Sequence, residues 1–194
     1  MNKEFEIKLK ILKLYKDLLL NKNSSIFKII DMYKEYLKLS ICLGTNSPVF
    51  EENLKKYNHI NCYGYALGLT QPQIFYNKYY KIEREGMSHN LGMMTQRYST
   101  RNVDKQIELF YKDLEALNIK WYESDIEKEN MHGGYKIALY FSPYDFHFLR
   151  QNKDGLWSEK AGYSRRINII NKPQSEMGSY KLTKVLEIVK PVVK

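Results

Sequence analysis

Short runs rich in aromatic and β-branched residues follow one another through the C-terminal part of the chain, with turn residues between them. Runs of this kind are typical of β-strands. Because short turns connect neighbouring runs, we expect a largely antiparallel sheet. The predicted strands are IKWYES (119–124), GYKIALYFS (134–142), DFHFLRQ (145–151), LWSEKAG (156–162) and YKLTKVLEIVK (180–190).

The N-terminal part of the chain has a helical period instead. Apolar residues over 3–40 recur near helical spacing and predict two amphipathic helices, with a break and cap at residues 23–25. A further helix is predicted over 102–117, where the apolar residues fall on one face. Helices followed by an antiparallel sheet define an α+β fold.

Two segments read as loops. Residues 43–60 carry Gly, Asn, Ser and Pro, and residues 70–100 are irregular and are expected to wall a cleft. We therefore predict a helical N-terminal arm or cap over residues 1–42. Residues 43–194 form the main domain, and the whole chain forms one compact unit.

The net charge of +9 invites the hypothesis of an acidic partner such as nucleic acid. The lysines are spread along the chain rather than gathered in one block. Lysine, asparagine, isoleucine and tyrosine are all over-used, which an AT-rich genome produces without selection for a ligand. We therefore do not expect specific nucleic-acid binding.

A length of 194 residues with 43% hydrophobic content indicates one folded domain.

The cysteine count and the N-terminus bear on localisation. Cys42 and Cys62 are too few for a disulfide framework and indicate a reducing compartment. Charges interrupt every apolar run of the N-terminus, so it lacks a signal-peptide pattern. No segment approaches the ~20 apolar residues of a membrane span. We expect a cytoplasmic protein, which suits an intracellular enzyme, an injected effector or a phage-borne product.

The segment HINCYGYALG (59–68) places Cys62 directly before a small-residue and aromatic run that predicts a helix. The N–H groups at a helix start stabilise a thiolate and can receive the oxyanion that forms after attack. This pattern predicts a nucleophile with a depressed pKa. The alternative is a small residue packed in the core.

A nucleophilic cysteine also needs a base. The chain has four histidines: His59, His89, His132 and His147. Only His147 lies in a strongly predicted strand, which holds a side chain in the fixed position that proton transfer requires. His59 is too close to Cys62 in sequence to meet it across a cleft. Plain packing is the alternative role of His147.

The turn after this strand predicts a partner for His147. NKDG (152–155) suits a type I turn followed by Gly155 in a left-handed bulge position. This register pairs Leu149 with Glu159 and makes Glu159 a diagonal neighbour of His147. A carboxylate there can orient the imidazole and stabilise its charged form.

A two-residue turn at Asp154 and Gly155 is the alternative. It would shift the register by one residue and move Glu159 to the opposite face. Ser158 or Lys160 would then flank the histidine.

A cysteine at a helix start, followed by a histidine on a strand and a polar residue on the next strand, resembles the papain-like fold, especially its NlpC-type branch. NCYGYALG and DFHFLRQNKDGLWSEKAG are similar to bacterial and phage-borne proteins with the pattern N-C-Y-x-Y-A-L, D-Y-H-x-Y-R-Q, a Gly turn and W-S-H-K-x-G, over about residues 58–163. The resemblance implies that Cys62 is the nucleophile and His147 the base of a hydrolase or transferase acting on amide-type bonds. Glu159 stands where the pattern has histidine, which leaves open a domain that keeps the fold without the chemistry.

Further candidates for the site lie beside these residues. Asn58 and Asn61 precede the cysteine and are candidates to bind the oxyanion together with the backbone N–H of Cys62. Asn61 is equally placed to cap the helix. Trp157 is a candidate wall of a substrate cleft or a buried core residue. By strand alternation, Arg150 points away from the histidine and is expected to pair with an acid.

We expect no cofactor and no metal. His59 and Cys62 lack the further ligands of a zinc site, and HGGY lacks the residues of a phosphate loop. The predicted function is a cysteine-dependent hydrolase of amide-type bonds, namely a peptidase, an amidase or a deamidase, that acts on a peptide or protein through an acyl-enzyme. The alternative is a non-catalytic basic module that binds an acidic protein or polyanion.

Overall fold

The structure is a computed structural model that describes residues 2–20, 25–43, 57, 60–71, 75, 89–95, 101–152, 154–162, 164 and 166–191. It is a mixed helix and antiparallel-sheet fold, so the predicted α+β class is confirmed. The two N-terminal helices and the helix predicted over 102–117 are present. The helices whose two ends both lie in the described residues are α1 (Lys3–Leu20), α2 (Ile26–Cys42), α3 (Cys62–Ala66) and α4 (Val103–Ala116).

The strands are β1 (Lys120–Ser124), β2 (Tyr135–Phe141), β3 (Phe146–Gln151), β4 (Trp157–Glu159), β5 (Asn168–Ile170), β6 (Glu176–Met177) and β7 (Tyr180–Val189). Within the described residues they form one antiparallel sheet of seven strands in the order β1-β7-β2-β3-β4-β5, with β6 pairing to β7. The strand that is last in the chain therefore lies between the first two. Strands β5 and β6 were not predicted, because two or three residues carry no periodic pattern.

The two faces of the sheet bury different sets of side chains, because successive residues of a strand point to opposite faces. One face packs against α2, α3 and α4 in the main core. The other face forms a smaller cluster. The main core includes Ile137, Leu139, Phe141, Phe148, Leu186 and Ile188, and the smaller cluster contains Ala138, Tyr140, Leu149, Trp157 and Val185.

The second N-terminal helix belongs to the main core. Ser25 caps α2 by accepting a hydrogen bond from the Lys28 N–H at 3.4 Å, which confirms the predicted cap. Tyr33, Leu37 and Ile41 of this helix are buried in the same cluster as Cys62 and Tyr63 of α3. The packing of α2 therefore supports the helix that begins at the cysteine.

Most of the predicted loops over 43–60 and 70–100, including Asn58 and His59, lie outside the described residues. The predictions made for them stay predictions. Among the described helices, none combines the length and the apolar character that crossing a bilayer requires.

Candidate active site

The turn between β3 and β4 sets the register that brings His147 and Glu159 together. The Asn152 N–H donates to the Leu156 carbonyl at 2.7 Å, and Gly155 has a φ of 84°. Leu149 pairs with Glu159 across the two strands. The predicted register and the left-handed conformation of Gly155 are confirmed, and the alternative two-residue turn is wrong.

A chain of three polar side chains results from this register. His147 Nε2 and Glu159 Oε2 are 2.7 Å apart, and the Asn168 side-chain amide donates to Glu159 Oε1 at 3.1 Å. A carboxylate only accepts hydrogen bonds, so Nε2 carries the proton and Nδ1 of the neutral ring is left as an acceptor. Sequence reasoning missed Asn168, because the short β5 that carries it shows no strand pattern.

Cys62 is the first residue of α3, and the preceding asparagine fixes this helix start. Asn61 Oδ1 accepts a hydrogen bond from the Gly64 N–H at 3.1 Å, and its Nδ2 donates to the His89 carbonyl at 2.8 Å. The side-chain amide of Asn61 is therefore a helix cap. Its oxyanion role stays a prediction.

The support of α3 extends to α2 through a buried histidine. His89 packs on Gly64, where an added Cβ would lie 3.2 Å from the imidazole Cδ2. Its Nε2 is 2.9 Å from the Tyr33 hydroxyl. Burial, reinforced by the Lys160 charge, lowers the pKa of His89 to about 3, so this ring is neutral. The absence of a side chain at Gly64 is what allows the histidine to lie against the helix.

The thiol of Cys62 lies beside the edge of β3 that β4 leaves open. The pairing of the two strands begins at Leu149, so the backbone of residues 146–148 has no β4 partner. Cys62 Sγ lies 3.9 Å from the Phe146 carbonyl oxygen, towards which it donates, and the Phe148 N–H also faces the sulfur. The cysteine therefore meets the histidine strand from its side.

Cys62, His147 and Glu159 line one cavity of about 680 Å³. Asn61 and Asn90 belong to its lining, as do residues of β6 and β7. The structure thus brings together the three residues that the sequence nominated as catalytic. A cavity of this size accommodates a substrate side chain and the bond next to it.

The predicted depressed pKa of Cys62 is wrong. Burial raises the pKa of this thiol to about 12, and the nearby Asp145 carboxylate adds to the increase. The N–H groups of Phe148 and Tyr63 and the charge of Lys160 oppose this effect without overcoming it. Desolvation dominates because only 4% of Cys62 is exposed. Cys62 is thus a protonated thiol in the free protein.

We predict that Cys62 reacts slowly with iodoacetamide and that its rate rises with pH through pH 9 without a plateau. At pH 8 the thiolate fraction of a thiol with this pKa is about 10³-fold smaller than that of an ordinary cysteine. Site-resolved mass spectrometry, with Cys42 as the internal comparison, measures both rates. A plateau for Cys62 below pH 8 would instead indicate a preformed thiolate.

Lys160 is a buried cation near the Cys62 thiol. Sequence reasoning considered it only as a neighbour of His147 in the alternative register and did not predict this position. Its ammonium group donates to the carbonyls of Ile60 and Gly162. Burial lowers its pKa to about 8. Lys160 therefore ties the end of β4 to the segment just before α3. Strand alternation was the available signal: it puts Lys160, the residue after Glu159, on the face opposite that of Glu159.

Asp145 and Tyr180 form a polar pair on the cavity wall. The Tyr180 hydroxyl donates to Asp145 Oδ2 at 2.7 Å, and the Phe146 N–H donates to Asp145 Oδ1 at 2.8 Å. The tyrosine ring also lies beside the imidazole of His147, with 6.1 Å between the ring centres. This contact joins β7 to the start of β3 beside the histidine.

Two other candidates lie away from the cavity lining. Trp157 is buried in the smaller cluster, which agrees with the alternative role as a core residue.

The prediction that Arg150 pairs with an acid is wrong for the described residues. The Arg150 guanidinium instead stacks on Tyr65 at 3.9 Å from the ring centre and donates to the Tyr65 carbonyl at 3.1 Å and to the Tyr57 hydroxyl at 3.3 Å. Asn58 lies outside the described residues.

Comparisons of this chain with protein-family models, with curated proteins and with solved structures find no match. The interpretation of the site therefore rests on its geometry. A thiol and an imidazole with an acceptor nitrogen line one cavity, and a carboxylate holds that imidazole. Such a set of groups is suited to nucleophilic attack on a carbonyl carbon.

Proposed function

We propose that this protein is a cysteine hydrolase of amide-type bonds with a papain-like, NlpC-type arrangement of its active site. Cys62 is the nucleophile, His147 the base and Glu159 the residue that orients the base. The observation that carries the proposal is the 2.7 Å contact of His147 Nε2 with Glu159, which leaves Nδ1 free to act as the base in the cavity that Cys62 lines. No hydrogen bond to His147 Nδ1 is present within the described residues.

The proposed reaction begins with a protonated thiol. As Cys62 Sγ attacks the carbonyl carbon, His147 Nδ1 takes the thiol proton, and the backbone N–H at the start of α3 binds the oxyanion. The imidazolium then gives its proton to the leaving amine, and a thioester remains on Cys62. Water, deprotonated by the same nitrogen, hydrolyses the thioester and releases the acid, and the proton returns to the sulfur.

The raised pKa of Cys62 determines how the base is used in this reaction. A resting thiol must lose its proton while it attacks, so His147 acts as a general base rather than as the partner of a preformed thiolate. The Glu159 carboxylate stabilises the imidazolium that forms at that moment. Bound substrate would displace water from the cavity and strengthen this interaction.

The experiment that tests the proposal uses p-nitrophenyl acetate as a generic acyl donor. We expect a burst of p-nitrophenolate equivalent to one site per chain from the wild type, and no burst from Cys62→Ala. Cys42→Ala is the matched control, because Cys42 is a free cysteine at the end of α2 that does not line the cavity, and it should keep the burst. A burst that survives in Cys62→Ala would contradict the proposal.

Removing the orienting carboxylate should weaken the base without abolishing it. We predict that Glu159→Ala slows the acylation of Cys62 by roughly 10- to 10²-fold, which is part of the 10²–10⁴ that a general base contributes. Glu159→Gln keeps an acceptor for His147 Nε2, so its acylation rate should fall less than that of Glu159→Ala. The burst rate constant measures both, with Glu176→Ala in β6 as the control. Equal rates in Glu159→Ala and the wild type would exclude the role of Glu159.

One observation favours a second function. The burial and raised pKa of Cys62 are also those of a packed cysteine, so a non-catalytic module that binds an acidic protein or polyanion is the second candidate. Such a module would give no burst and would bind a polyanion such as heparin with an affinity that falls steeply with salt. The burst experiment separates the two functions.

A further inference from the structure

Helix α1 carries an exposed row of large apolar side chains. Phe5, Leu9 and Leu12 are 53%, 45% and 60% exposed, and Leu19 and Leu20 are 62% and 69% exposed. Phe5, Leu9, Leu12 and Leu19 are spaced by four, three and seven residues, so they lie along one side of the helix. We call these five residues the α1 stripe.

The fold does not use the α1 stripe. Ile7 and Leu18 are the buried residues of this helix, and Ile11 and Leu14 pack against the main core. These residues lie on the opposite side of α1, which contacts α2. A helix that is apolar on both sides has a second surface still to cover.

Lysines accompany the α1 stripe. Lys16 lies four residues after Leu12, in the same row, and Lys8 and Lys13 flank that row at helical spacing. All three are exposed. Lys8 pairs with Glu4, whereas no ion pair to Lys13 or Lys16 is present in the part of the chain that the structure describes. The surface therefore combines apolar bulk with uncompensated positive charge.

We infer that the α1 stripe binds the surface of an anionic membrane, with α1 lying parallel to it. Phenylalanine and leucine side chains then enter the boundary of the acyl chains, while the lysines reach the anionic headgroups. A second copy of the chain is a poorer occupant, because a symmetric contact would bring Lys16 against the same lysine row of the partner. This interaction is independent of the proposed function.

The test is sedimentation of the full chain with lipid vesicles. We expect binding to vesicles of equal parts phosphatidylglycerol and phosphatidylcholine, little binding to pure phosphatidylcholine, and a loss of binding at high salt. Leu9→Glu/Leu12→Glu should weaken binding at least tenfold. Lys13→Glu/Lys16→Glu should also weaken binding at least tenfold. This variant changes only charged side chains, so the apolar residues of the α1 stripe stay in place. Met131→Glu/Leu156→Glu changes two exposed apolar residues outside α1 and should leave binding unchanged.

Two results would overturn the inference. One is that the wild type does not bind anionic vesicles, or that the wild type and both α1 variants bind them equally. The far-ultraviolet circular dichroism of each variant must be unchanged in that comparison. The other is a lipid-free dimer, seen by light scattering, that Leu9→Glu/Leu12→Glu dissociates. That second result would assign the α1 stripe to an interface between two copies of the chain.

Discussion

Replacing His147 by alanine is expected to slow the acylation of Cys62 by p-nitrophenyl acetate by about 10²- to 10⁴-fold. The thiol is protonated at neutral pH because burial raises its pKa to about 12. Without a base, the reaction depends on the small thiolate fraction. The measurement is the rate constant of the p-nitrophenolate burst at pH 7.

A matched control and a rescue separate this effect from a structural one. His132→Ala removes a histidine whose ring stacks on Tyr122, away from the cavity, and should leave the burst rate unchanged. Added imidazole should partly restore the rate of His147→Ala, because it can act as the base in the vacated space. A burst rate in His147→Ala within twofold of the wild type would exclude His147 as the base.

Replacing Asp113 by alanine is expected to lower the free energy of unfolding by about 3–5 kcal/mol. This buried carboxylate of α4 accepts hydrogen bonds from the Tyr63 hydroxyl at 2.7 Å and from the N–H groups of Gly92 and Met94 at 2.8 and 2.9 Å. Alanine leaves all three donors buried without an acceptor. Urea denaturation measures the loss, and a decrease below 1 kcal/mol would contradict this assignment.

Asp113→Asn is the control, and it also tests the titration of the carboxyl group. Burial raises the pKa of Asp113 to about 6, against the opposing effect of its hydrogen bonds. The folded state then binds the proton more tightly than the unfolded state. The wild type should therefore lose stability as the pH rises from about 4 to 6, by a total of about 3 kcal/mol. Asp113→Asn cannot titrate, so this slope should be absent from it.

The pairing of His147 with Glu159 could be predicted from the sequence because it depends on the turn that joins their two strands. A glycine in a left-handed turn position fixes the register of a hairpin, and the register fixes which side chains share a face. The same reasoning placed the cap of α2 within residues 23–25 and made Asn61 a candidate cap of α3. These features depend on residues that are close in the chain.

The rest of the site depends on contacts between distant segments. Strand β7 lies beside β2 in the sheet, although the two are far apart in the chain. No local sequence pattern predicts that Tyr180 of β7 contacts Asp145 near the histidine. The raised pKa of Cys62 likewise results from packing against β3, which outweighs the effect of a helix start. A helix of five residues offers little electrostatic compensation for that burial.

Arg150 shows how tertiary packing replaces an expected ion pair. Strand alternation correctly places it on the face opposite His147, and the usual partner of a buried arginine is an acid. Here the partners are the ring and carbonyl of Tyr65 and the hydroxyl of Tyr57. The identity of such a partner depends on the docking of α3 on the sheet.

The most direct test of the central claim is to locate the acyl group by mass spectrometry during a pulse and chase. The wild type is exposed briefly to p-nitrophenyl acetate at pH 7, quenched with acid and digested. We predict an acetyl group on Cys62 that disappears during the chase and is absent from His147→Ala after the same pulse. An unmodified Cys62 with acetylated lysines, or equal labelling of Cys62 in both proteins, would contradict a Cys62–His147 active site.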